Sequence, residues 1–442
     1  MRRIFLSVII CFTLITSVLA DNIIDISNGQ SDTISIALND FESNTRSAKQ
    51  IKNKALNLIK KDLQHSGFFR SLSQSAFIEQ KIGTSHVPLF AAWQQINAML
   101  LLNGSVREES DSKMTIQFVL WDSFLEKPLL RQEVKFNKNN WRKAAHEIAN
   151  IIYKKMTGTP GYFNTQITYI SETGDYLKRK KRIAIMDYDG HNHRYLTNGD
   201  DLVLTPRFSP DSKRILYLSY QNKIPQVFIL DIASGESKLV GNFPGMSFAP
   251  RFSPDGKYAL MSIAKDGNTH IYEMNLSNLH MKQLTRGNNI NTSPSYSPNG
   301  NRIVFNSDRN GARQIFVMNR DGSNVKRISY GGGAYAEPTW SKENFVAFTK
   351  MSRSIGFSIG IMKPELYQNE NNERLIASGY LVESPAWSAN NQMIIFTAGT
   401  RPTKKSQQKG LNRIYTINLS GYNQRIVPTP HDASDPDWSR AY

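Results

Sequence analysis

The sequence predicts a small α/β domain followed by an all-β six-bladed propeller that the C-terminal strand closes. Three observations predict it. A phrase of proline, any residue, an aromatic and serine recurs along the second half, its prolines at 206, 250, 294, 338, 385 and 436. A period in the forties with strand-type patterning is the spacing of four-stranded propeller blades. Six apolar third strands recur as well, and the two series are out of step, which says how the ring closes.

At 442 residues the chain is too long for one ordinary core, so two domains are expected. It opens MRRIFLSVIICFTLITSVLA, with two arginines, an apolar run and small residues up to Ala20. Residues 1–20 read as a secretory signal, cleaved to leave Asp21 as the mature start. The apolar run is shorter than the roughly 20 residues of a spanning helix, and no later segment approaches that length. Lys and Arg number 54 against 37 Asp and Glu, a formal charge of +17. Export turns this charge away from nucleic acid, toward anionic envelope components or a merely basic surface. The one cysteine, Cys11, lies inside the signal, so the mature chain has no thiol to pair, oxidise or ligate metal.

Residues 21–160 make the α/β domain. Asp21–Ser31 is polar and contains glycine, and reads as a mobile N-terminal arm. Helices are expected over Asn44–Ser66, Phe90–Met99 and Trp141–Thr157. The first carries Ile51, Ala55, Leu58, Ile59 and Leu63 on one face; the third carries Trp141, Ala145, Ile148, Ile152 and Met156. Gly67 and Gly158 stop them. Strands are expected over Thr33–Leu38, Phe68–Leu72, Leu100–Arg107, Met114–Trp121 and Leu129–Phe136, with a hairpin turn at Glu108–Lys113. Thr159-Pro160-Gly161 marks the boundary. His65, His86 and His146 are scattered and read as surface or packing residues.

Residues 161–442 make the propeller. Each phrase proline is expected to open an innermost strand, where a missing N–H is tolerated. The aromatics (Phe208, Phe252, Tyr296, Trp340, Trp387 and Trp438) plug the gaps between sheets. Ser-Pro-Asp-Gly supplies the β-turn that follows. Third strands fall at 183–187, 227–231, 271–275, 315–319, 359–363 and 414–418. The first blade has no opening phrase, and the last phrase, PDWSRAY, has nothing after it. Pro436–Tyr442 is therefore expected to complete blade one like a clasp, leaving no free edge at the seam.

Gly356-Phe-Ser-Ile-Gly360 matches the nucleophile elbow of hydrolases, which needs a strand-to-helix turn. Ile359, however, repeats Ile315 one period on, so Ser358 reads as blade filling. Gly331–Gly333 has no Lys-Ser/Thr after it and reads as a link between blades. His191 and His193 fall in a turn, and the run at 177–182 reads as a solvated basic loop. No metal or other cofactor is expected.

The order of signal, α/β domain, six phrase-bearing blades and a terminal clasp resembles the TolB family over essentially the whole mature chain. The resemblance implies a non-enzymatic periplasmic binding protein of the Tol-Pal system, a monomer within a complex. Such proteins support outer-membrane integrity and constriction during division. Its implied partners are the lipoprotein Pal at the propeller mouth and TolA on the arm (Asp21, Asn22, Ile23, Ile24, Asp25), with other outer-membrane proteins beside them. The stretches at 243–250 and 288–294 are similar to the family's Pal-contacting links. In a four-stranded blade the links from outer to next inner strand share one face. They give Met246, Ser247, Phe248, Ala249, Asn289, Asn291, Thr292, Tyr335 and Glu337 as the partner-binding set, with the Ser-Pro-Asp-Gly turns opposite. A glycan-binding propeller is the alternative. A metal-dependent propeller lyase would need inward histidines at one blade position, and His191, His193, His270, His280 and His431 share none.

Overall fold

Period-two alternation builds the first sheet. The computed structural model describes residues 33–174, 178–221, 223–240, 246–366, 372–400 and 411–440. The elements of the first domain are β1 (Ile34–Leu38), β2 (Glu42–Ser43), α1 (Arg46–His65), β3 (Phe69–Ser71), α2 (Phe90–Gln95), β4 (Leu100–Ser110), β5 (Lys113–Asp122), β6 (Lys127–Asn137) and α3 (Trp141–Thr157). The sheet order is β3-β1-β4-β5-β6, with β2 beside β4. β1 is parallel to β3 and β4, and β4 to β6 form an antiparallel meander.

Ile36, Leu100, Leu102, Ile116 and Phe118 point to one face, where α1 and α3 cover them. Ala37, Leu101, Val119 and Trp121 point to the other, under Phe77, Phe90 and Trp93. Thr45 caps α1 by accepting the Ala48 amide, and Gly158 ends α3 at φ 72°. The third helix has its expected bounds. The second is shorter than expected, because Asn97 turns left-handed at φ 52° and the chain enters β4 at Leu100.

The propeller has six four-stranded antiparallel sheets. Blade one is Asp432–Trp438, Gln166–Thr173, Lys180–Asp187 and Arg194–Tyr195, so the C-terminal strand is its innermost member. The clasp closes the ring as expected, but it begins four residues before Pro436. The same correction holds all round. The prolines do not open the inner strands; they lie within them, each inside a bulge. Pairing breaks between Leu204 and Arg207, Phe248 and Arg251, Thr292 and Ser295, Ala336 and Thr339, Glu383 and Ala386, and Ser434 and Asp437. A bulge leaves the proline out of the ladder, so its missing N–H costs nothing there.

The two domains share one core. Ile152 and Tyr153 of α3 pack in a single cluster with Tyr162, Phe163, Tyr188, Met393, Val427 and Trp438. The carbonyls at the end of α1, orphaned by helix geometry, find donors in blade six. Arg425 donates to Gln64 at 2.9 Å, Asn423 to His65 at 2.8 Å and Asn418 to Ser66 at 3.3 Å. Asn390 of the same blade donates to Pro160 at 3.1 Å. Within this junction His146 is buried against Asp62 (2.7 Å), whose other carboxylate oxygen accepts the Tyr188 hydroxyl. His146 is thus a packing histidine with a carboxylate partner.

Candidate functional site: the open mouth of the propeller

Every contact just described uses one side of the ring. Asn390 lies in the turn between the first and second strands of blade six, Asn418 ends its third strand and Asn423 lies in the turn to the fourth. Asp189, which pairs with Arg142 of α3, lies in the corresponding turn of blade one. The α/β domain therefore sits on the side of the Ser-Pro-Asp-Gly turns. The opposite side, made by the inter-blade links and the loops between second and third strands, carries none of these contacts.

That uncovered side is where the bulges lie. The residue before each phrase proline is left-handed: Thr205, Ala249, Ser293, Glu337, Ser384 and Asp435, with φ from 49° to 55°. No glycine is among them, and proline itself restricts the residue before it, so each position is strained. Strain repeated six times at one register is held in place by the surrounding blades. Three neighbours touch: Glu337 accepts the Ser384 amide at 2.7 Å, and the Ser384 hydroxyl donates to Asp435 at 3.0 Å.

Charge is unevenly spread round this mouth. Blades five, six and one contribute Glu337, Glu383 and Asp435, while blades two to four offer Thr205, Ala249 and Ser293. Burial, and then the neighbouring Glu337 and Asp435, push the Glu383 carboxyl up to about 7. Exposed apolar side chains gather on the same face: Leu202, Ile290, Tyr330 and Tyr380 in the links, and Ile224, Ile355 and Leu411 in the loops between second and third strands.

The expected site residues divide into groups. Phe248, Ala249, Asn289, Thr292 and Glu337 are half-buried on this mouth, and Met246 and Ser247 lie in the inner strand of blade three. Asn291 and Tyr335 are fully buried and use their polar atoms inside the ring. Asn291 donates to Thr269 at 3.1 Å and accepts from Arg309 at 2.9 Å; the Tyr335 hydroxyl donates to Glu373. They shape the mouth without presenting a side chain to it. The arm residues Asp21–Asp25 lie outside the described residues. Sequence reasoning missed the link residues Leu202, Tyr330 and Tyr380, and did not single out Ile290 within the 288–294 link it had named. Their signal was an apolar residue just ahead of an inner strand, outside any repeated phrase.

The other candidates stay structural. Ser358 lies in strand Gly356–Met362, paired on both sides, with its hydroxyl 2.8 Å from Ser378. No strand-to-helix elbow exists there. No group of three or more His, Cys, Asp or Glu fit to hold a metal occurs among the described residues. No helix among them is long and apolar enough to cross a membrane.

Comparison with known proteins agrees with this architecture. A model of the TolB beta propeller domain matches residues 153–442, and one of the TolB amino-terminal domain matches residues 22–129. The chain is 53% identical over 421 residues to the Tol-Pal system protein TolB of Rickettsia bellii (strain OSU 85-389), covering 94% of each. It is 52% identical to the same protein of Rickettsia massiliae (strain Mtu5), with equal coverage. The crystal structure of TolB from Acinetobacter baumannii superimposes with a TM-score of 0.81 at 24% identity, over 94% of this chain and 98% of that one, which shows the shared fold. The chain is a non-catalytic protein of the Tol-Pal envelope system, and on both domain matches and its near full-length relatives it belongs to the TolB family.

Proposed function

We propose that this protein works in the periplasm, after removal of residues 1–20, as a scaffold between two partners of the Tol-Pal system. The mouth opposite the α/β domain holds the peptidoglycan-associated lipoprotein Pal, and the arm at 21–31 engages TolA. Through these contacts the protein supports outer-membrane integrity and constriction during division.

The observation that carries the reading is the asymmetry of the ring. One side is taken by the α/β domain; the other exposes apolar links around a ring of strained residues. Exposed apolar side chains framed by polar groups are what protein interfaces are built from. A stable contact would bury about 1,600 Å² in all. Phe248 and Ile290 lie on the neutral side, where an apolar anchor fits. Glu337, Glu383 and Asp435 favour basic groups on the facing side of the partner.

The test is reconstitution from purified parts. Mature protein and the soluble domain of Pal should co-elute as one complex, and removing residues 21–31 should abolish capture by TolA while leaving capture of Pal. Failure to bind Pal under any salt condition contradicts the first assignment. Retained TolA capture without the arm contradicts the second.

A further inference from the structure

The turn side of the channel, away from the proposed Pal mouth, widens into a funnel of about 540 Å³. Its lining follows the repeat. From the position after the phrase proline, the lining takes Arg207 in blade two, Arg251 in blade three, Ser295 in blade four and Asp437 in blade one. From the second position of the turn, the lining takes Pro210, Pro254 and Pro298 in blades two to four, but Lys342 in blade five and Arg440 after the clasp. Cations thus enter from four blades, at two different repeat positions, and converge on one cavity.

A single lining carboxylate opposes them, and it is already engaged. Asp437 accepts the Phe208 amide at 2.7 Å, and its other oxygen stands 3.9 Å from Arg251, a long ion pair. Arg207 donates to the Pro206 carbonyl at 2.8 Å and, weakly, to that of Asp435 at 3.5 Å. A guanidinium has five N–H donors, so both arginines keep donors to spare. The Arg251 side chain is only 18% exposed, at the floor of the funnel, whereas Lys342 and Arg440 stand exposed at the rim. Burial and then Arg207 push Arg251 down to about 9, still cationic at neutral pH; burial and then Arg440 lower Lys342. Crowded like charges of this kind are relieved by an anion.

We propose that this funnel binds a small, multiply charged phosphate-class oxyanion, with Arg207 and Arg251 as floor donors and Lys342 and Arg440 as rim charges. The planar guanidinium fork matches two oxygens of a phosphate or of a carboxylate alike; it is the four cations lining one cavity that favour a multiply charged phosphate over a lone carboxylate. The volume suits a short polyphosphate or a compact phosphate ester. A flat bilayer is a poorer fit, because the α/β domain is docked beside the funnel on the same side and the floor cations are recessed.

The experiment is calorimetric titration of the full mature chain, without Pal, with tripolyphosphate at low salt. Parallel titrations use citrate and vesicles of phosphatidylglycerol in phosphatidylcholine. Wild type should bind tripolyphosphate at a single saturable site. The rim variant Lys342→Gln/Arg440→Gln, whose exposed positions leave folding intact, should bind it roughly tenfold or more weakly. Arg251→Gln should do the same with an unchanged far-UV spectrum. Absence of saturable binding overturns the proposal, as does binding that both variants leave unchanged. Equal, residue-dependent affinity for citrate overturns the phosphate assignment. Vesicle binding that needs Lys342 and Arg440, without tripolyphosphate binding, overturns it in favour of a lipid surface.

Discussion

Trp438 shows how much one repeated residue carries. Its ring is 6% exposed, edge-on to Tyr162 at 5.6 Å, and its indole N–H donates to the Thr165 hydroxyl at 2.7 Å. It therefore joins the clasp to the inter-domain linker and to blade one together. Trp438→Ala should cost about 3–5 kcal/mol, the range for a large buried aromatic, read as a fall in the denaturation midpoint. Ser358→Ala removes one exchangeable hydroxyl contact and should change neither stability by more than about 1 kcal/mol nor any binding. Glu383 makes a different, pH-dependent prediction. Its carboxyl is raised from 4.5 to about 7, so between those values the folded state holds a proton that the unfolded chain has released. Stability from this group falls as pH rises through the window and the full cost is present above 7. Glu383→Gln should thus stabilise the protein at pH 8, by about 1–2 kcal/mol once solvent screening in the channel is allowed for, and little at pH 5. A variant less stable than wild type at pH 8 contradicts this.

At the scale of elements, the clasp is the strand most exposed to test. Truncation after His431 removes the innermost strand of blade one and bares the edge of Gln166–Thr173. Unfolding should lose its single transition and light scattering should rise, because an unpaired strand edge recruits other chains. Retained cooperative unfolding contradicts the closure. The clasp was legible in the sequence because two repeat series were out of step by one phrase, a matter of counting. The bulges were not. Proline normally keeps its predecessor extended, so nothing local at Thr205 or Ala249 announces a left-handed residue; only pairing with the second strand forces it. Hence the prolines were expected to open strands that in fact begin three or four residues earlier. Helix α3 was legible to the residue, since Gly158 takes the left-handed stop. Helix α2, one and a half turns long, lacks the length that makes periodicity decisive.

For the whole molecule, the arrangement of the two domains was the least legible feature. Nothing in the sequence singles out Asn418, Asn423 or Arg425, and only the structure shows them satisfying the end of α1. Arg425 also places a cation at the negative end of that helix. Arg425→Ala should loosen the junction by about 1–2 kcal/mol, seen as faster proteolysis near Thr159-Pro160 with little change in the melting of the propeller. The docking in turn fixes which mouth is left open, which the blade phrase alone could not do. The central claim is that this open mouth holds Pal, and calorimetric titration with the soluble domain of Pal tests it most directly. Phe248→Asp and Thr292→Arg should each weaken binding by about 2 kcal/mol or more, as central interface positions do, while the fold and melting midpoint persist. Lys257→Glu and Asn299→Lys, on the turn side, should leave the affinity within about 0.5 kcal/mol of wild type. If the turn-side pair abolishes binding and the mouth pair does not, Pal binds the other face and the account is wrong.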